Sequence, residues 1–232
     1  LVLKIVIFLS FLNSYSIDSV NYYFDSNYSG ETKSGLSKKS PFKNLKKIRT
    51  IILNPGDSIF LANGSYFQGN IKLQNKSDIY ITNYGSNQKP LPIIDSKGHI
   101  AGIFIENSSN ISVTNLKIIA NGGGVLEQYP NLKTSKITDK AIMRAGVLIN
   151  VSDDKIFKNI FINNISVTDI FYEDEGFVRD PSEVKTSMGT QAYGFGIRFF
   201  NSSKNGSIDG IKVSNCFVEN VGHTGIKMTS TS

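Results

Sequence analysis

The chain is predicted to be an all-β solenoid, a parallel β-helix, on the strength of three observations. A phrase built on glycine followed by alternating apolar residues recurs at Gly102-Ile103-Phe104-Ile105, Gly146-Val147-Leu148-Ile149, Gly196-Ile197-Arg198-Phe199 and Gly225-Ile226-Lys227-Met228. Each of the first three is followed by a second alternating segment: Ile111-Ser112-Val113-Thr114-Asn115, Ile165-Ser166-Val167-Thr168-Asp169 and Ile211-Lys212-Val213-Ser214-Asn215. No helix-period stretch separates these segments, and the composition (no Trp, 20 Gly, Ile- and Val-rich strands) suits short strands joined by tight turns.

The elements follow in chain order. Residues 1–16 have the pattern of a signal peptide: Lys4, the apolar run Ile5 to Leu12, and small residues Ser14 and Ser16 flanking Tyr15. The expectation is export to an extracellular or periplasmic location, with no integral membrane segment once the leader is removed. Residues 17–70 form a cap and first coil. Tyr22-Tyr23-Phe24 reads as a strand, Phe42, Leu45 and Ile48 as one face of a short amphipathic capping helix, and Pro55-Gly56-Asp57 as a turn. Residues 71–232 are coils. The Gly-to-Gly intervals before Gly146 and Gly196 are longer than the last one, which predicts surface loops at about 120–145 and 170–195. The sequence stops within a coil at Ser232, so a truncated C-terminus is expected.

Alternation assigns faces. Ile103, Val147, Ile197 and Ile226 form one inward column, with Ile105, Ile149, Phe199 and Met228 two residues on. The outward columns then read Phe104, Leu148, Arg198, Lys227 and Glu106, Asn150, Phe200, Thr229. Strands about 4.8 Å apart place Arg198 beside Lys227. Asn83, Asn115, Asp169 and Asn215 are expected to share a column and stack as a ladder. His223 falls at the same end of the sheet as Lys227, and His99 reads as a surface turn residue. Cys216, the single cysteine, rules out an intramolecular disulfide and reads as a buried, inert thiol.

The opening, Tyr22-Tyr23-Phe24-Asp25-Ser26, then Ser40-Pro41-Phe42-Lys43-Asn44-Leu45, then Pro55-Gly56-Asp57-Ser58-Ile59-Phe60-Leu61 and Gly64-Ser65-Tyr66, resembles the start of secreted right-handed β-helix proteins. That group includes polysaccharide lyases and some glycoside hydrolases acting on uronate-rich or sulfated polymers. The resemblance covers residues 21–70 and implies architecture and export; it carries no catalytic residue.

Function is read from the outward residues and loops. A net charge of +6 on an exported protein points to an acidic polysaccharide rather than nucleic acid, and the chain is expected to act as a monomer. The leading expectation is a lyase that removes the proton beside a uronate carboxylate. Lys227 or Arg198 would serve as base or charge neutraliser, and His223 or Tyr193 would aid proton transfer. Phe104, Tyr172, Arg179 and Arg144 are the expected substrate contacts. Related lyases often use calcium, and Glu173, Asp174 and Asp180 are its expected ligands. The alternatives are a glycoside hydrolase, with its carboxylates drawn from Asp169, Asp174 and Asp180, and a non-catalytic binding or adhesin-like solenoid.

Overall fold

The computed structural model describes residues 18–32, 34–125, 143–176 and 193–230. The expected leader at residues 1–16, together with Arg179 and Asp180, lies outside the described residues. The strands of the first half are β1 (Asn21–Phe24), β2 (Ser58–Ala62), β3 (Tyr66–Gln68), β4 (Ile71–Gln74), β5 (Ser77–Tyr84), β6 (Ile93–Asp95) and β7 (Ala101–Glu106). Those of the second half are β8 (Ser109–Asn121), β9 (Met143–Val151), β10 (Ile156–Phe171), β11 (Tyr193–Asn201), β12 (Ser207–Ser214), β13 (Phe217–Val221) and β14 (Thr224–Ser230).

All pairings between these strands are parallel, the arrangement of a solenoid. One row runs β1-β2-β5-β8-β10-β12, and a second runs β4-β7-β9-β11-β14. A third branches from the long strands: β3 pairs β6, β6 pairs the later part of β8, and β13 pairs the later part of β10. The strands β8 and β10 change rows because an asparagine bends each of them. Asn115 and Asn164 sit within these strands at φ 60° and 53°, a left-handed conformation that asparagine tolerates better than most residues.

The inward columns meet in one core as far as β11, whereas Ile226 and Met228, expected inward, lie on the edge strand β14 and are 51% and 69% exposed. Ile103, Ile105, Val147, Ile149, Ile197 and Phe199 from the second row pack with Ile111, Val113, Ile118, Ile160, Ile162 and Val167 from the others. Burying each such side chain stabilises the fold by about 1.5–3 kcal/mol before the entropy of ordering is counted. The glycine column has a steric cause. A Cβ on Gly102, Gly146 or Gly196 would lie 2.3–2.4 Å from Ile118, Val167 or Val218 respectively, on the facing row.

Three further expectations are corrected. Phe42, Leu45 and Ile48 do bury their side chains, but the segment is a five-residue 3-10 helix, Leu45–Arg49, and no α-helix occurs among the described residues. Apolar residues three apart fall on one line of a helix with three residues per turn, so the pattern suits this tighter form. The asparagine column also divides. Register pairs Ile111 with Ile160 and Leu116 with Ile165, so the phrase ending at Asp169 lies one corner beyond the phrase ending at Asn115. Asn164 donates to Asn115 Oδ1 at 2.8 Å, Asn220 donates to Asp169, Asn83 to Asn63, and Asn215 to Asn163. A further ladder joins Asp78, Asn110 and Asn159 at 2.9 Å per step. Cys216 is half-buried, more open than expected.

Candidate functional site

The outer side of the second row does not stand bare. Phe104 and Leu148 are fully buried in a second apolar cluster with Ala101, Ala145, Phe195 and Phe200. Glu106 and Asn150, in the next outward column, are buried too, with Asn150 Nδ2 donating to Glu106 Oε1 at 2.9 Å. Alternation gives the side of a sheet and not what lies over it. The apolar character of Phe104 and Leu148 was itself the signal of a cover. Phe104, expected to touch substrate, therefore offers a ligand no surface.

The end of this face holds a cationic-aromatic cluster. Arg198 and Lys227 are register partners on β11 and β14, as alternation predicts. The Phe195 ring gathers them: the Arg198 guanidinium lies 4.2 Å from its centroid, the Lys227 ammonium 5.6 Å, and the His223 ring 5.1 Å. Arg198 also covers Phe200 at 5.1 Å and is itself buried, whereas Lys227 and His223 are half-buried. Burial first, then the charges of Lys227 and Arg198, push the His223 pKa below its ordinary 6.5, so the ring is neutral at physiological pH. Three of the four expected catalytic residues thus stand together. Tyr193 pairs with Met143 through its backbone at the start of β11, and its side chain lies outside the described residues.

Arg144 is also corrected. It is fully buried and donates to the carbonyls of His99, Ala120, Gly122, Gly124 and Phe171. Burial pulls its pKa down to about 10, against the opposing pull of Tyr172, Asp95 and Asp174, and it stays charged at neutral pH. This guanidinium staples the turn Gly122-Gly123-Gly124 to β8 and β10, and its burial keeps it out of a substrate's reach. Tyr172 packs at the edge of the outer cluster and is half-buried.

Above this staple lies a group of charges that the sequence leaves scattered. Gly123 N–H donates to Asp174 Oδ1 at 3.0 Å, and the Lys97 ammonium stands 3.6 Å from the same oxygen. Gly122, at φ 71°, leaves room there that a Cβ would fill, since such an atom would fall 2.2 Å from Asp174 Oδ1. The Lys97 backbone N–H donates to Asp95 Oδ1 at 3.1 Å, and the Tyr66 hydroxyl donates to Asp95 Oδ2. Burial and that carboxylate raise Tyr66 to about 12 and keep it protonated. Lys97 and Asp174 each line a groove. One, of about 590 Å³, is lined by Asp95, Lys97 and His99; the other, of about 520 Å³, by Asp174, Glu173 and Glu175. His99, expected at a surface turn, is half-buried on the first groove.

Other expected residues divide. Asp169 belongs to the Asn220 ladder. Among the described residues no three of His, Cys, Asp and Glu stand close enough to hold a metal. Glu173 and Asp174 line the second groove, and their expected companion Asp180 lies outside the described residues. Asp95 and Lys97 were missed: nothing near them in sequence marks a site, and only the stacking of β6, β8 and β10 brings Lys97 to Asp174.

No family model and no curated protein matches the chain. Among solved structures it is similar to the GH136 lacto-N-biosidase from Eubacterium ramulus. The native protein superposes with a TM-score of 0.66 at 20% identity, over 90% of this chain and 36% of that one. The selenomethionine derivative gives 0.62 at 20% identity, over 88% and 34%. The chain thus spans about a third of the length of these structures, and the likeness is one of fold. Among the described residues no helix is long and apolar enough to cross a membrane.

Proposed function

We propose that the chain is a carbohydrate-active right-handed parallel β-helix that hydrolyses a glycosidic bond. The observation that carries this is that Lys97 links two groove-lining carboxylates, its backbone N–H donating to Asp95 and its ammonium pairing with Asp174. Glycoside hydrolysis needs two carboxyl groups flanking the bond, one to protonate the leaving oxygen and one to act as nucleophile or to activate water. Asp95 and Asp174 supply them. Tyr66, both donor and acceptor through its hydroxyl, can serve Asp95 in either protonation state. The fold shared with a lacto-N-biosidase supports a glycan as substrate. Export, action as a monomer and an acidic polymer as substrate belong to the same proposal.

Elimination is a second reading, favoured by one observation: His223 is kept neutral beside Arg198 and Lys227. A neutral base next to two cations is the arrangement that abstraction of a proton beside a carboxylate requires. Incubation with neutral and uronate-containing oligosaccharides separates the two. Hydrolysis yields new reducing ends with no ultraviolet absorbance, elimination yields an unsaturated absorbing product, and neither product from any glycan would remove both readings.

A further inference from the structure

The groove beside Asp95 carries chemistry that bond cleavage does not use. One wall is the 3-10 helix, whose exposed Lys46 and Arg49 line it; Lys97 stands on the other. Three cations therefore border a space lined by one carboxylate, Asp95, which already accepts from Tyr66 and from the Lys97 backbone. A concave surface with an excess of one charge concentrates ligands of the other.

The floor adds an independent observation. Asn70 lines the groove, is 5% exposed, and accepts from Arg49 through Oδ1 at 3.2 Å. Its buried Nδ2 has no hydrogen-bond partner among the described residues. Buried amide donors are nearly always satisfied, and exceptions recur at functional sites or where a water or ion completes the set. The bond to Asn70 also orients Arg49, whose planar guanidinium suits the oxygens of a carboxylate or sulfate.

We propose that this groove binds an anionic sugar unit. Its carboxylate or sulfate ester lies against Lys46 and Arg49, the latter braced from below by Asn70, and its hydroxyls against Gln68. The choice of a sugar rests on the hydrolytic reading, but binding needs no turnover, so the two fail separately. A chain that binds anionic sugars and cleaves no glycan keeps the groove and loses the hydrolase; cleavage without anion binding does the reverse.

Calorimetric titration of the full chain at low salt tests it, with trigalacturonate as the carboxylated probe, a κ-carrageenan tetrasaccharide as the sulfated one, and cellotriose as the neutral one. At least one anionic probe is expected to bind, and which of them does so identifies the source of the charge. Binding weakens with added salt, falls at least tenfold in Arg49→Ala, and falls further in Asn70→Asp, which adds a negative charge to the floor. Arg49 is exposed, so Arg49→Ala is expected to melt as the parent does; if it does not, Lys46→Ala carries the test. Failure of both anionic probes to bind, equal binding of cellotriose, or unchanged affinity in the folded cationic-wall variant overturns the proposal.

Discussion

The Lys97 ammonium stands 3.6 Å from Asp174 Oδ1 with both side chains largely exposed, at 55% and 73%. Exposed pairs contribute little to stability, about 0–1 kcal/mol, so this one is better understood as fixing where a carboxylate sits. Lys97→Met is expected to leave urea stability within about 1 kcal/mol of the parent. In the hydrolytic reading it lowers turnover roughly tenfold or more by letting Asp174 wander. Parallel denaturation and reducing-end assays check the split; a large stability loss with unchanged turnover would make the pair structural.

Arg144 behaves in the opposite way. Its removal strands several buried carbonyls at once. Arg144→Met is expected to cost about 3 kcal/mol or more, since hydrogen bonds to a charged donor are each worth roughly 1.5–3 kcal/mol. Arg144→Lys recovers only part of that, because an ammonium cannot reproduce a planar fork. Urea midpoints of the two variants decide this.

The glycine column predicts an overpacking effect. In Gly146→Ala the new Cβ meets Val167 Cγ1 at 2.3 Å and the Gly196 carbonyl oxygen at 2.9 Å. Destabilisation of about 1–3 kcal/mol follows. Adding Val167→Ala relieves the side-chain clash but not the carbonyl one, so thermal melting of the double variant shows non-additivity with incomplete rescue.

His223 gives the fold a pH dependence. Its pKa is lower in the folded chain than the ordinary 6.5, so below pH 6.5 the unfolded chain binds the proton more tightly. The contribution of this group is constant above that value and falls with pH until the folded pKa is passed. Denaturation midpoints measured from pH 8 downward should show this slope in the parent and lose it in His223→Gln. Lys227→Met, by removing one repelling charge, should move the His223 titration followed by NMR back toward 6.5.

Much of the solenoid is legible because its two devices repeat along the chain. Alternation fixes Ile103, Val147 and Ile197 as inward, and the recurring glycine marks where two rows come too close for a Cβ. The asparagine ladders are only half legible. The Ile-led phrase occurs more than once in a coil, so matching phrases by sequence places Asp169 over Asn115 when register places it beyond a corner. The site is less legible still. The cluster of Arg198, Lys227 and His223 follows from column positions, but the cover over Phe104 and Leu148 does not. The approach of Lys97 to Asp174 depends on how strands far apart in sequence stack, which no local pattern encodes.

The most direct measurement is the rate of reducing-end release by Asp174→Asn and Asp95→Asn, on whichever glycan the parent cleaves. Both replacements preserve shape and remove the carboxylate. A loss of at least about a hundredfold in kcat for each, with unchanged melting temperature, is the predicted result, in keeping with the contribution of a positioned acid or base. Parent-like rates in either folded variant would contradict the assignment of this pair as the hydrolytic carboxyls.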